Sequence, residues 1–212
     1  MRLALRAKLL RILLWCVFLC ELNKKMNKLR KRITFIKTFA TDKNVAAIVV
    51  SSRFVVQNVL NQLPDVFDRV IECGPGEGVM TKELLKRMSA QGALVAIESN
   101  KEFISLLKDM GDDRLHAVEG RAQDVIVHAK ENGIGAADVV VASIPFSFLK
   151  PAERIQLVRD IHTLLRPKGV FIIFHQYSPL MYPAMKKVFG NASIVFEMRN
   201  MPPCFIMTSR KN

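Results

Sequence analysis

Residues 70–78 read VIECGPGEG, and this stretch decides the fold that the rest of the sequence predicts. Arg69 to Cys73 is a short apolar run with one acid, which predicts a strand, and apolar residues recur at helical spacing from Val79 to Met88. A strand, a glycine turn and a helix in this order bind nucleotides, because glycines let a ligand approach the main chain and the helix offers it unpaired N–H groups.

The spacing of the glycines indicates which nucleotide is bound. Dinucleotide enzymes use G-x-G-x-x-G, whereas here the glycines stand at alternate positions behind Glu72. This pattern resembles motif I of the class I S-adenosylmethionine (SAM) methyltransferases. A glycine turn with a purely structural role is the alternative. The resemblance implies that SAM is the cofactor and that it is bound by the loop and the first helical turn, at Glu72, Gly74, Pro75, Gly76, Gly78 and Thr81.

An acid follows the second predicted strand. The apolar run from Ala93 to Ile97 ends in Glu98, and a carboxylate at this place can accept both ribose hydroxyls. Dehydrogenases share this feature, so Glu98 predicts that a ribose is bound but does not identify the cofactor that contains it. Ser99 and Asn100 are expected beside the cofactor and also as the cap of the next helix.

The third predicted strand, Leu115 to Glu119, leads to Arg121 and Ala122. In the methyltransferase family an acid often sits near position 121 and binds the adenine amino group, so Arg121 departs from the pattern. Both residues are still expected at the cofactor. The adenine contact would then come from the backbone around Ala122, from Gln123 or from Asp124.

The fourth predicted strand, Asp138 to Ala142, ends in Ser-Ile-Pro-Phe-Ser at residues 143–147. This resembles motif IV of amino-group methyltransferases, in which a polar residue, a variable residue, proline and an aromatic ring follow the strand. The resemblance implies that Ser143 and a backbone carbonyl orient the amine, while Phe146 covers the nitrogen and suits the cationic product. In the alternative, Pro145 ends the strand and Phe146 belongs to the core.

Two more stretches resemble the small bacterial phospholipid N-methyltransferases, which convert phosphatidylethanolamine stepwise to phosphatidylcholine. They are AIVVSSRF at residues 47–54 and NMPPCF at residues 200–205. The resemblance implies that Ser52 and Arg53 lie near the entering head group, where the planar guanidinium could pair with a lipid phosphate. A helix cap and a surface salt bridge are the alternative.

The remaining elements complete an α/β fold. A helix after Pro151 leads to a strand at Val170 to Phe174, followed by a structural His175 and by Tyr177, which is expected to touch the head group. Two closing strands are predicted at residues 194–198 and 204–208. The predicted fold is a Rossmann-like, seven-stranded, mostly parallel sheet with helices on both faces.

The charge lies mainly at the N-terminus, since residues 1–37 carry +10 of the net +13. Apolar residues there form one helical stripe between basic ones, at Leu22, Met26, Leu29, Ile33 and Ile36. A basic amphipathic helix suits an anionic membrane, although it could also dock on the catalytic domain or attract RNA. We therefore predict a membrane-interacting arm at 1–40, a methyltransferase domain at 41–212, and a cytoplasmic enzyme peripherally attached to the inner membrane.

The four cysteines, Cys16, Cys20, Cys73 and Cys204, have neither metal-binding nor disulfide-framework spacing, so no metal is expected. The predicted function is SAM-dependent methylation of a phospholipid amine. The main rival is an rRNA adenine dimethylase, a related family that usually has Asn where this chain has Ser143. A SAM-binding or RNA-binding protein without catalysis is the third reading.

Overall fold

The protein is described here by a computed structural model that covers residues 52–176, 178–200 and 202–212. The predicted arm at 1–40 lies outside the described residues, and so do Tyr177 and the Ser51 of the Ser-Ser-Arg motif. Within the described part, no helix combines the length and the apolar character needed to cross a bilayer.

Helices and strands alternate along most of the chain. The strands are β1 (Arg69–Cys73), β2 (Ala93–Glu98), β3 (Leu115–Glu119), β4 (Ala137–Ala142), β5 (Leu165–Gln176), β6 (Ser193–Glu197) and β7 (Cys204–Arg210). The helices are α1 (Arg53–Leu60), α2 (Val79–Arg87), α3 (Lys101–Lys108), α4 (Val125–Glu131), α5 (Pro151–Leu164) and α6 (Tyr182–Phe189). Short 3-10 turns occupy Ala122–Asp124 and Phe146–Phe148.

One seven-stranded sheet has the order β3-β2-β1-β4-β5-β7-β6. The first five strands in this order run parallel, and β7 pairs antiparallel with both β5 and β6. Strand order reverses between β1 and β4, and a ligand crevice is expected outside the carboxyl ends of the strands at such a point. We call that end of the sheet the carboxyl edge.

Two apolar clusters cover the two faces of the sheet. One includes side chains of α4, α5 and α6, and the other includes side chains of α1, α2 and α3. All residues of β2 and β4 are buried, as expected for parallel strands covered on both faces. The predicted Rossmann-like fold with a seven-stranded, mostly parallel sheet is therefore confirmed.

Most predicted strands lie within a residue or two of the observed ones, and β5 is the main exception. It begins at Leu165 instead of Val170, because Leu165 already pairs with Ala137 before the register shifts. Residues 166–169, which lie between the predicted helix and the predicted strand, thus form an irregularity inside β5, where Lys168 takes a positive φ of 64°. The helix Tyr182–Phe189 was not predicted.

Candidate active site

Backbone hydrogen bonds join the strand ends at the carboxyl edge. Gly74 N–H donates to the Ile97 carbonyl at 2.9 Å, and Ser143 N–H donates to the Cys73 carbonyl at 2.8 Å. The loops after β1, β2 and β4 therefore meet at the point where the strand order reverses. These loops carry most of the residues that the sequence predicts for the site.

Gly74 lets the first loop approach the fourth strand closely. Its φ is +76°, and a Cβ at this position would lie 2.5 Å from the Ser143 carbonyl oxygen. Both facts exclude a larger side chain. The glycine loop and the Ser143 loop can therefore pass one another only because residue 74 has no Cβ.

Glu98 stands at the end of β2 with its carboxylate turned toward the glycine loop. Gly76 N–H donates to Oε2 at 3.1 Å, and Asn100 N–H donates to Oε1 at 3.0 Å. The Ser99 hydroxyl also lies 3.5 Å from Oε1, so the lone pair that is open to a ligand is on Oε2. The acid and the main chain of the loop thus converge on one point, which fits a nucleotide whose ribose hydroxyls need an acceptor.

Ser99 and Asn100 take the capping role that the sequence allows. The Asn100 side chain accepts from the N–H groups of Glu102 and Phe103 and caps α3. Ser99 is exposed, with its hydroxyl 3.5 Å from the Glu98 carboxylate. In this structure, Asn100 acts on the helix, and Ser99 is the more accessible of the two.

Glu72 and Thr81 lie inside the protein beneath the loop. Thr81 has no exposed surface and donates its hydroxyl to Glu72 at 2.6 Å. Burial raises the pKa of Glu72 to about 7, against the opposing effect of the Thr81 hydrogen bond. This hydrogen bond joins the strand before the glycine loop to the helix after it, and contact of Glu72 and Thr81 with the cofactor stays a prediction.

The other predicted cofactor residues differ in accessibility. Gly78 precedes α2 with a φ of +75°, a backbone conformation that other residues rarely adopt, and this explains the glycine. Pro75 is buried and its carbonyl accepts from Gly78 N–H at 2.9 Å. Beyond β3, Arg121 is exposed and Ala122 is buried at the start of the 3-10 turn.

The loop after β4 places its two phenylalanines differently. Phe146 has no exposed surface and packs edge-on against His175, with ring centroids 5.7 Å apart. This burial agrees with the alternative interpretation, in which Phe146 belongs to the core. Phe148 is 56% exposed and was missed by sequence reasoning. Arg154 holds the loop by donating to the Phe146 carbonyl at 3.1 Å.

Ser143 and Pro145 remain accessible in the same loop, half-buried and exposed respectively. His175 is the structural histidine expected from the sequence. Its Nδ1 lies 3.0 Å from the Ser178 carbonyl oxygen, which can only accept, and burial lowers the pKa of the ring. Nδ1 therefore carries a proton and donates it to this carbonyl.

The two stretches with the more specific resemblance are in contact. Ser52 N–H donates to the Asn200 side-chain oxygen at 3.0 Å, across 148 residues of sequence. Asn58, on α1, also donates to Glu197. Because Glu197 pairs with Cys204 and Cys204 with Gln176 at the end of β5, this contact lies at the carboxyl edge.

Cations and an aromatic ring gather at this contact. The guanidinium carbons of Arg53 and Arg199 lie 4.8 and 4.3 Å from the centroid of the Phe54 ring. Two hydrogen bonds from Arg199 hold the Glu197 carboxylate and lower its pKa to about 2. Ser52 caps α1 through its hydroxyl, which agrees with the alternative in which the motif is a helix cap. Arg53 is exposed.

The fold and the loops define a class of enzyme, which comparisons with known proteins confirm. The model of the methyltransferase domain family matches residues 70–169. A solved 16S rRNA N2 G1207 methyltransferase of T. thermophilus, in complex with AdoMet and guanosine, superposes with a TM-score of 0.59 at 18% identity, over 80% of this chain and 45% of that one. Over residues 70–169 the chain is similar to the class I SAM-dependent methyltransferases, and its cofactor is SAM.

Two curated relatives of the chain are methyltransferases with different substrates, a lipid and ribosomal RNA. The chain is 29% identical to the ornithine lipid N-methyltransferase of Singulisphaera acidiphila, over 79% of this chain and 88% of that protein. It is 31% identical to ribosomal RNA small subunit methyltransferase A of Methylococcus capsulatus, over 55% of this chain and 46% of that protein. The match therefore spans most of the lipid enzyme and less than half of the rRNA enzyme.

No group of three or more His, Cys, Asp or Glu residues suited to a metal ion occurs in the described part of the chain.

Proposed function

We propose that this chain transfers methyl groups from SAM to the amine head group of a membrane lipid, converting phosphatidylethanolamine towards phosphatidylcholine at the inner membrane surface. The contact of Ser52 with Asn200 at the carboxyl edge carries the proposal. It joins the two stretches that resemble phospholipid N-methyltransferases and brings them to the edge that bears the Ser143 loop. The relative that methylates ornithine lipid, matched over 88% of its length, supports an amine lipid as substrate.

Bound SAM supplies a methyl group made electrophilic by its sulfonium. In the proposed site, Glu98 accepts the ribose hydroxyls, and Gly74 and Gly76 give the methionine portion room beside the main chain. Glu72, held by Thr81, places a buried carboxylate under the loop. The turn at Arg121 and Ala122 would hold the adenine. The protein then acts mainly by aligning the reactants, since in-line transfer needs little further chemistry.

The substrate amine must be neutral to attack, and its pKa is about 10 if it resembles lysine. Ser143 orients its lone pair, in a loop whose position is fixed by the hydrogen bond to the Cys73 carbonyl. Phe148, rather than the buried Phe146, offers an exposed ring to the methylated cation. Arg53 pairs with the lipid phosphate. Tyr177, outside the described residues, stays a predicted head-group contact.

Incubation of the purified full chain with methyl-labelled SAM and total membrane lipid tests this function. The expected product is labelled lipid that co-migrates with methylated phosphatidylethanolamine. Purified phosphatidylethanolamine and ornithine lipid, offered in competition, identify the preferred head group. Label in neither lipid would contradict the proposal.

The second candidate is methylation of rRNA adenine, and the 31% identity to the M. capsulatus enzyme favours it. The same labelling reaction, run with ribosomal RNA in place of lipid, separates the two functions. Label in RNA and none in lipid would make the rRNA function the correct one.

The cofactor site is tested by one pair of variants at neighbouring strand ends. Glu98 and Glu119 are register partners on β2 and β3, but Glu98 accepts a hydrogen bond from the glycine loop, whereas Glu119 lies within 3.7 Å of Lys101. Glu98→Ala should weaken SAM binding about a hundredfold, the loss expected for two hydrogen bonds to a charged group. Glu119→Ala should leave SAM affinity unchanged. Calorimetry measures both, and equal affinities in folded protein would remove Glu98 from the site.

A further inference from the structure

The outer edge of the sheet carries an apolar surface. Strand β6 is the last strand, and the side chains there are exposed by 41%, 38%, 50% and 74% at Ile194, Val195, Phe196 and Met198. We call these four residues the edge patch. Exposed edge strands of soluble proteins usually carry charges that prevent association. Here the one acid of the strand, Glu197, is buried and held by Arg199, so the edge patch has no such protection.

A cation, Arg53, stands next to the edge patch. Arg199 follows Met198 directly and shares the Phe54 ring with Arg53. Arg199 is paired with Glu197, whereas Arg53 forms no ion pair with a carboxylate in the described part of the chain. Among the described residues, the surface thus combines exposed apolar side chains with a guanidinium that pairs with no carboxylate.

The edge patch connects to the candidate active site through a row of rings on one face of the sheet. Phe196 pairs with Phe205, with ring centroids 4.7 Å apart, and Phe205 pairs in register with His175. His175 in turn contacts Phe146 in the loop that carries Ser143. Paired residues on adjacent strands point to the same face, so this row runs from the exposed edge to the Ser143 loop.

We propose that the edge patch docks on an anionic lipid bilayer, with its apolar side chains among the lipid head groups and Arg53 on a lipid phosphate. The proposal rests on the proposed function in naming a bilayer as the partner. It assigns contact with the bilayer to folded residues of the catalytic domain, beyond the predicted arm.

Charge favours a bilayer over a second copy of the chain. The whole chain carries a net charge of +13. A second copy would bring the same positive charges together. An anionic surface neutralises them, and each base near such a surface contributes about 1 kcal/mol.

The test compares Met198→Asp with Val66→Asp. Both native side chains are 74% exposed, but Val66 precedes β1 and lies at the opposite end of the sheet. Full-length protein is sedimented with vesicles of equal parts phosphatidylcholine and phosphatidylglycerol. The buffer contains enough salt to shorten the Debye length to about 3 Å, so that attraction between exposed charges is screened.

We expect Met198→Asp to lower vesicle partition about tenfold, the effect of keeping one apolar side chain in water, and Val66→Asp to leave it unchanged. Equal partition of both variants and the wild type would overturn the proposal. So would a dimer that Met198→Asp dissociates without changing vesicle binding, since the edge patch would then be a protein interface.

Partition requires no methyl transfer, so this test and the labelling reaction fail independently. Vesicle binding that depends on Met198, without labelled lipid, would leave the docking surface standing and contradict the proposed function. Labelled lipid together with partition that does not depend on Met198 would support the proposed function and contradict the docking surface. A thermal melt of each variant shows that its fold is intact.

Discussion

The parallel half of the sheet and its antiparallel edge differ in whether their side chains are buried against partners within the protein. In β2 and β4 every residue is buried, and the polar groups at the strand ends find partners within the protein. Glu72 has Thr81, and Glu98 has the main chain of the glycine loop. In β6 the first four residues are exposed, three of them apolar.

The difference separates two ways of building a site. The side proposed for the cofactor is held in place by hydrogen bonds and close packing that exist before any ligand binds. The antiparallel edge leaves its apolar surface without a partner in the described residues. Substitutions that remove this packing in the parallel half should therefore cost stability, whereas those at the edge should cost contact with a partner. Three predictions test how closely the parallel half is packed.

The largest effect is expected at Phe146, because its ring is completely buried. Phe146→Ala should lower the free energy of unfolding by about 4 kcal/mol through the cavity it leaves. Phe148→Ala, two residues away and 56% exposed, should change it by less than about 0.5 kcal/mol. Denaturant unfolding measures both. Similar stabilities for the two variants would show that the loop packs differently from this structure.

A somewhat smaller loss is expected at Gly74. Gly74→Ala should cost about 3 kcal/mol, since the Cβ meets the Ser143 carbonyl and the left-handed backbone conformation is itself unfavourable for alanine. Gly133 is the matched control, because its φ of +78° is nearly the same and a Cβ there meets nothing within 4 Å. Gly133→Ala should pay only the backbone cost, about 1 kcal/mol.

The difference between the two glycine variants measures the close approach of the loops alone. Midpoints of denaturant unfolding are compared after checking that the slopes agree. If both variants lose the same stability, the close contact between the two loops does not contribute to folding, and the parallel half is packed less closely than the structure shows.

Much of the parallel half could be predicted from sequence, because its signals are local. The observed bounds of β1 and β3 equal the apolar runs that predicted them. The caps at Ser52 and Asn100 follow from their residue types at helix starts. The position of Glu98 at a strand end follows from the length of the run before it.

The rest depends on contacts between distant parts of the chain. The resemblance to motif IV predicts Phe146 as the substrate ring. In the structure its ring packs against His175 of β5, and Arg154 of α5 donates a hydrogen bond to its main-chain carbonyl. The exposure of Phe196 could not be predicted either. An apolar strand looks the same in the middle of a sheet as at its edge, and the strand order decides which it is.

The smallest effect concerns Glu72, whose ionisation the parallel half opposes. Its pKa is raised from an ordinary 4.5 to about 7 by burial, so the folded state binds the proton more tightly than the unfolded state. Stability from this group is complete below about pH 4.5 and is lost as the pH rises through about 7. At pH 8 the buried charge costs about 3 kcal/mol.

Glu72→Gln removes that charge and keeps an acceptor for the Thr81 hydroxyl. The amide accepts a weaker hydrogen bond than a carboxylate, which offsets about 1 kcal/mol. The variant should therefore be more stable than wild type by about 2 kcal/mol at pH 8 and nearly equal to it at pH 5. Chemical denaturation across this pH range gives the difference between the two curves. A difference that stays constant with pH would mean that Glu72 keeps an ordinary pKa, and that water reaches a carboxylate which the structure places in the interior.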